Sequence, residues 1–94
     1  MSLEFDIKYL RSKKKISKKI GLDNIEKTEK LFETNPSDSK LNLKNIICRR
    51  DKNKKSIRVF GNDGYRILLT TKDETIYFQD IMNHDKYDRL TKDC

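Results

Sequence analysis

Four side chains in the C-terminal half of the sequence could move protons and hold phosphate: Arg58, Arg66, His84 and Tyr87. His84 is the only histidine, and imidazole is the side chain that exchanges a proton most readily near neutral pH. An arginine can bind phosphate through two parallel N–H bonds, and Tyr87 could stack on a base or act as a weak acid. These groups suit metal-free cleavage of RNA, in which a base takes the 2′-hydroxyl proton, cations stabilise the phosphorane, and an acid protonates the leaving 5′-oxygen.

Each of these residues also has an ordinary structural explanation. His84 could be a surface residue that follows a strand, Tyr87 could pack the C-terminal tail onto the sheet, and Arg66 could pair with Asp80 or Asp85. No catalytic motif of fixed spacing decides between the two explanations, because the sequence has no Gly-rich phosphate loop, HExxH motif or nucleophile elbow.

The charge is strongly basic and unevenly distributed. The net charge is +7, and residues 1–60 carry +9 of it while residues 61–94 carry −2. Residues 8–19 and 44–58 each hold seven basic side chains, with no acidic residue in the first run and only Asp51 in the second. The first run could simply be a solvated helix face. The second predicts a phosphate-binding surface, with candidate RNA-binding residues Lys44, Arg49, Lys52, Lys54 and Lys55.

Size and composition limit the classes of protein to which the sequence could belong. Ninety-four residues, of which 34% are hydrophobic, predict a single domain over 1–94 with a modest core. Cys48 and Cys94 lack metal-ligand spacing, which argues against a zinc site or a disulfide scaffold. No apolar run approaches the length of a membrane span and no signal peptide is evident, so we expect a cytoplasmic protein without metal or other cofactor and without membrane contact.

Periodicity predicts an α+β fold. The chain begins with a strand over 3–7, followed by helices over 8–20 and 23–34 that end at Gly21 and before Pro36. Asp23 and Glu26 have the spacing of a capping box. A strand over 41–50 and a polar loop over 51–55 lead into a three-strand meander over 56–60, 65–70 and 75–81. A short helix or tail follows from residue 85 to residue 90.

The period of two in the meander divides its side chains between two faces. The helix-covered face is predicted to hold Ile57, Val59, Ile67, Leu69, Ile76 and Phe78. Arg58, Arg66 and Tyr77 then lie on the opposite, uncovered face, which is where we expect RNA to bind.

These stretches resemble the RelE/ParE superfamily of bacterial toxins from toxin–antitoxin pairs. The resemblance is carried by Leu43-Lys44-Asn45-Ile46, Ser56-Ile57-Arg58-Val59-Phe60, Gly64-Tyr65-Arg66-Ile67-Leu68 and His84-Asp85-Lys86-Tyr87. The C-terminal stretch is most similar to the HigB-type branch. The resemblance implies a microbial RNase-like fold, with an N-terminal helical hairpin packed on a twisted, four-stranded, mainly antiparallel sheet. It also implies a ribosome-dependent mRNA endoribonuclease (an mRNA interferase) that inhibits translation and is neutralised by a cognate antitoxin, in a toxin–antitoxin hetero-oligomer.

Residue by residue, the resemblance assigns phosphate stabilisation to Arg66 and matches Arg58 to the family's basic strand residues. Tyr87 matches the terminal tyrosine, and His84 matches the histidine or arginine before it. The family's lysine pair on the strand is absent here, which leaves His84 as the candidate base.

Two other functions remain open at this point. A ParE-like inhibitor of DNA gyrase would act by binding and would need neither His84 nor Tyr87. A basic RNA- or ribosome-binding module would use the same cationic face without catalysis.

Overall fold

The computed structural model describes residues 2–92, except for the side chains of residues 62 and 63. Its five strands are β1 (Ser2–Phe5), β2 (Lys44–Asn45), β3 (Lys55–Val59), β4 (Asn62–Lys72) and β5 (Thr75–Asn83). The helices are α1 (Ile7–Ile20), α2 (Asp23–Thr34) and α3 (His84–Lys92), and a 3-10 turn spans Ser39–Leu41. The strands form one sheet in the order β1-β5-β4-β3-β2.

The sheet differs from the predicted four-stranded, mainly antiparallel one because it has five strands and is mixed. β1 pairs in parallel with β5, with Leu3 opposite Ile76 and Phe5 opposite Phe78, whereas the other pairs are antiparallel. Parallel neighbours need a long crossover, and the helical hairpin of α1 and α2 lies within the connection from β1 back to the sheet. Local sequence does not encode which distant strand β1 joins.

One face of the sheet packs against α1 and α2, as the period of two predicts. The core contains Tyr9 from α1, Ile25 and Phe32 from α2, and the predicted β-strand residues Ile57, Val59, Ile67, Leu69 and Phe78, while Ile76 packs against it at its margin. The Phe78 ring makes edge contacts with Tyr9 and Phe32 at centroid distances of 5.4 and 5.3 Å. Aromatic packing of this kind contributes beyond area burial, so Phe78 is the residue that joins both helices to the sheet.

Polar contacts join α1 to α2 and tie α2 to the sheet. The Tyr9 hydroxyl donates to the Glu29 carboxylate at 2.6 Å, and Lys13 is paired with the same carboxylate at 2.9 Å. Burial, and then the Glu29 carboxylate, raise the pKa of Tyr9 above its ordinary value. Thr28, which is fully buried, accepts a 2.7 Å hydrogen bond from the Phe60 amide. This last bond ties α2 to the end of β3, close to Arg58.

The capping box predicted at Asp23 is absent. Leu22 is the N-cap residue of α2 and no side-chain capping hydrogen bond forms, while Asp23 and Glu26 lie in the first turn. Carboxylates there interact favourably with the positive end of the helix dipole. Gly21 ends α1 with a φ of 85°, as predicted.

The segment predicted as a strand over 41–50 is mostly irregular. Leu41 ends the 3-10 turn, β2 contains only Lys44 and Asn45, and the chain then leaves the sheet. Cys48 in this segment is buried and disulfide-bonded, a bond that the spacing of the cysteines did not predict. Cys94 lies outside the described residues.

The hairpin between β4 and β5 turns through two residues in the left-handed region. Asp73 and Glu74 have φ of 52° and 65°, between the paired residues Lys72 and Thr75. Such turns favour Asn-Gly, and left-handed geometry costs an ordinary residue roughly 1–2 kcal/mol. We therefore expect the double change Asp73→Asn and Glu74→Gly to raise the free energy of unfolding by about 1 kcal/mol. Thermal unfolding should shift upward by about 4–8 °C.

The matched control places the same glycine in a strand. Lys72→Gly should lower the melting temperature, because Lys72 is the last extended residue of β4 and glycine there loses more backbone entropy on folding than lysine does. An unchanged or lower melting temperature for the turn variant would contradict the left-handed turn.

Candidate active site

The face of the sheet that lies away from α1 and α2 is covered in part by α3. Ile46, Cys48, Leu68 and Met82 form a second buried cluster on this face, and Tyr87 of α3 packs against it. The expectation of an uncovered face is therefore wrong for the part of the face beneath α3. These apolar side chains would otherwise be exposed to water, and burying them beneath α3 removes that cost.

Arg58 and Arg66 lie on this face, directly opposite each other. They are paired residues of the antiparallel strands β3 and β4, and Arg66 is in turn opposite Met82 of β5. Opposed residues on one face have Cβ atoms roughly 4.5–5.5 Å apart, so the two side chains leave the sheet as neighbours. Both are partly buried, and the Arg66 guanidinium donates to the Tyr65 carbonyl at 3.1 Å. Two guanidinium groups in this arrangement can bind one phosphate from two sides.

His84 is the first residue of α3, two positions beyond Met82 in the same chain. Its imidazole is 53% exposed, and its Nδ1 lies 3.1 Å from Oδ2 of Asp88, one helical turn along. A carboxylate at Nδ1 favours the tautomer with the proton on that nitrogen, which leaves Nε2 as the acceptor. His84 therefore follows the end of β5, two residues beyond the Met82 position that is in register with Arg66.

The side chain of Tyr87, a residue of α3, makes a contact with β3. Its hydroxyl is 2.9 Å from the Ser56 Oγ, and its ring centroid is 6.4 Å from that of His84. Ser56 is two residues before Arg58 on the same strand and is buried. Tyr87 therefore anchors the helix that begins with His84 to the strand that contains Arg58.

The hydroxyl bond predicts a measurable loss of stability on Tyr87→Phe. The change keeps the ring but removes a hydrogen bond to a buried partner, so the free energy of unfolding should fall by about 1–2 kcal/mol in denaturant titration. Combining it with Ser56→Ala should cost less than the sum of the two single changes, because one bond is lost in either case. Full additivity would show that the two hydroxyls do not interact.

The five predicted RNA-binding residues separate into three groups. Lys44 is opposite Ser56 and therefore shares its face, and Lys54 lines a cavity on that side. Arg49 and Lys52 are exposed in the irregular segment between β2 and β3. Lys55 alternates with Ser56 and lies on the opposite face of β3. The fold thus brings Lys44 and Lys54 to the face of Arg58 and Arg66 but directs Lys55 away from it.

Sequence reasoning missed Asp88 and Ser56, the polar partners of His84 and Tyr87. A signal existed for Asp88, because the spacing of four residues places a histidine and a carboxylate on one face of a helix. No local signal existed for Ser56, since its partner is 31 residues away.

Several solved structures are similar to this chain, and they include toxin–antitoxin complexes. YafQ of E. coli is similar with a TM-score of 0.72 at 11% identity, over 92% of this chain and 96% of that one. A chain of the Staphylococcus aureus YoeB dimer is similar with a TM-score of 0.65 at 16% identity, over 89% and 97%. A chain of the Methanococcus jannaschii RelB–RelE antitoxin–toxin complex gives 0.56 at 22% identity, over 92% and 95%.

These neighbours include the proteins of the DinJ–YafQ toxin–antitoxin and RelB–RelE antitoxin–toxin complexes, and the chain shares the fold of YafQ, YoeB and RelE. It is an α+β fold of three helices and a five-stranded mixed sheet. No protein-family model and no curated protein sequence matches the chain. None of the helices within residues 2–92 has the length and apolar character of a membrane span.

Proposed function

We propose that this protein is the toxin of a toxin–antitoxin pair and cleaves mRNA on the ribosome by metal-free general acid–base catalysis. The observation that carries the proposal is the opposition of Arg58 and Arg66 on one face of the sheet, with His84 at the end of the neighbouring strand β5. The likeness to YafQ, YoeB and RelE toxins supports a toxin role at the level of fold.

In the proposed reaction His84 is the base. With its Nδ1 engaged by Asp88, Nε2 takes the proton of a 2′-hydroxyl group, and the 2′-oxygen attacks the adjacent phosphorus. Arg58 and Arg66 bind the non-bridging oxygens and stabilise the charge that accumulates in the phosphorane. The P–O5′ bond then breaks, and the leaving oxygen takes a proton from the imidazolium or from water. The products are a 2′,3′-cyclic phosphate and a 5′-hydroxyl end.

Tyr87 positions the base in this arrangement. Its hydroxyl bond to Ser56 and its packing on the second cluster hold α3 against the sheet. The exposed cations Lys44, Arg49 and Lys52, together with Lys54, guide the RNA backbone by charge alone. The partner is a cognate antitoxin with an acidic or amphipathic segment, which complements a half-chain of net charge +9.

A second candidate, inhibition of DNA gyrase by binding, is favoured by one observation. Tyr87 is engaged with Ser56 and with buried apolar side chains, as it would be if it had only a structural role. A gyrase inhibitor would need the cationic surface without a base.

One experiment separates these functions. The purified protein is incubated with mRNA in a magnesium buffer, with and without ribosomes, and the RNA is analysed by primer extension and end-group chemistry. We expect ribosome-dependent cuts with 2′,3′-cyclic phosphate ends. Intact RNA together with loss of gyrase supercoiling activity would identify the binding inhibitor, and intact RNA with retained RNA binding would identify a non-catalytic module.

A further inference from the structure

One cavity among the described residues has none of Arg58, Arg66 and His84 in its lining. Its volume is about 520 Å³, and it opens beside the C-terminal half of α3, between β5 and the irregular segment before β3. Cavities of this size hold small ligands. The proposed cleavage does not use it.

A β-bulge brings two consecutive residues with acceptor side chains to the lining of this cavity. The register of β4 and β5 shifts between Leu68, which is opposite Asp80, and Leu69, which is opposite Phe78. Gln79 is therefore the additional residue, and both Gln79 and Asp80 line the cavity. Bulges commonly redirect side chains next to binding sites.

Both acceptors have unused capacity. Asp80 is 3% exposed, and its Oδ1 accepts a 2.9 Å hydrogen bond from the Ile81 amide. Its Oδ2 has only an ion pair with Lys8 at 3.5 Å, and Lys8 is 70% exposed. Neither this Oδ2 nor the buried Oε1 of Gln79 has a hydrogen-bond partner among the described residues. Buried acceptors without donors are costly, so the floor of the cavity favours a ligand with adjacent N–H groups.

The lining also includes groups that suit the other parts of a nucleotide, together with the carboxylates of Asp6 and Asp51. Leu68 and Leu90 provide apolar surface for the faces of a planar base. Lys8, Arg50, Lys54 and Arg89 line the same cavity and provide cations for phosphate.

We propose that this cavity binds a guanine nucleotide, with the base's N1–H and exocyclic amino group donating to Asp80 and Gln79 and its phosphate held by the surrounding cations. Guanine is the base that presents two adjacent donors to a carboxylate, whereas adenine and cytosine present one amino group each. The nucleotide is either a guanosine of bound RNA or a free guanine nucleotide. For the RNA source, the inference rests on the proposed function.

Binding, rather than cleavage, tests the site. GMP, IMP and AMP are titrated into the full chain and followed by NMR; IMP differs from GMP only by the missing amino group. We expect GMP to bind about 10- to 100-fold more tightly than IMP or AMP. Asp80→Asn should remove this preference, and Glu33→Gln on the exposed surface of α2, which changes charge equally, should retain it. If Asp80→Asn fails to fold, Gln79→Met supplies the test, with the GMP preference reduced several-fold.

Equal binding of GMP and IMP to the folded chain, or no saturable binding of GMP at about 10 mM, overturns the proposal. Oligonucleotides made uncleavable by 2′-deoxy substitution, carrying either guanine or hypoxanthine, then distinguish the sources. Preference for guanine in the oligonucleotide assigns the site to RNA, and a preference confined to GMP assigns it to a free nucleotide. A chain that binds GMP selectively but never cuts RNA would refute the proposed nuclease alone.

Discussion

Replacing His84 by glutamine should lower the rate of mRNA cleavage by about 10²- to 10⁴-fold, the range expected when a general base is removed. Glutamine keeps a polar side chain of similar size, and because the imidazole is 53% exposed, folding should be unaffected. The loss should appear in kcat, since proton transfer occurs in the transition state and not in substrate binding. Single-turnover cleavage of a ribosome-bound mRNA measures it.

The control for this prediction lies on the same helix. Asp85→Asn removes an exposed carboxylate from the first turn of α3 without touching the pair formed by His84 and Asp88, so its cleavage rate should stay within about twofold of the parent. Asp88→Asn removes the carboxylate at Nδ1 and should give an intermediate loss of about tenfold, the lower end for a residue that orients another. Cleavage retained by His84→Gln would exclude histidine as the base.

The core of the fold was predictable because its signals are local. Alternation in the meander correctly predicted which of Ile57, Arg58, Val59, Arg66 and Ile67 face the helices. Proline, glycine and the spacing of apolar residues likewise predicted both N-terminal helices, and the C-terminal helix was expected to within a few residues.

The structural predictions that were wrong concern features that depend on long-range packing. No local pattern indicates that β1 joins β5 in parallel, nor that β2 ends after Asn45. The second face is covered because Leu68 and Met82 are buried beneath the helix that begins at His84. In the sequence these two residues do not differ from other strand residues, so this covering was not predicted. The bulge at Gln79 was not predicted for a related reason. Alternation predicts that Gln79 and Asp80 lie on opposite faces, and only the register of the sheet shows that Gln79 is an additional residue beside Asp80.

The candidate site was predictable as a set of residues more than as an arrangement. Residue chemistry alone singled out Arg58, Arg66, His84 and Tyr87. That Arg58 is opposite Arg66, and that Tyr87 bonds to Ser56, are consequences of strand register. Strand geometry also explains why Lys55 lies on the opposite face of the sheet from Lys44 and Lys54, because neighbouring residues of a strand point to opposite faces.

Replacement of either Arg58 or Arg66 should give the second large effect on the cleavage rate. Arg58→Met and Arg66→Met each keep much of the aliphatic side chain but remove the guanidinium, and each should lower the cleavage rate by about 10²- to 10³-fold, as loss of one preorganised donor does at an oxyanion site. Because both groups act on one phosphate, the double variant should lose far less than the product of the single losses. Arg66→Lys should recover only part of the rate, since lysine retains the charge but not the two parallel N–H bonds.

Arg49→Met separates steering from catalysis in the same assay. Arg49 is exposed in the segment that follows β2, so its loss should weaken RNA binding, reduce the salt dependence of that binding by about one phosphate contact, and leave the single-turnover rate at saturation unchanged. If Arg58→Met and Arg66→Met behaved as Arg49→Met does, or if their losses multiplied fully, the two arginines would be independent contacts to the RNA backbone. The paired site would then be refuted, because the proposed mechanism has both guanidinium groups act on the same phosphate.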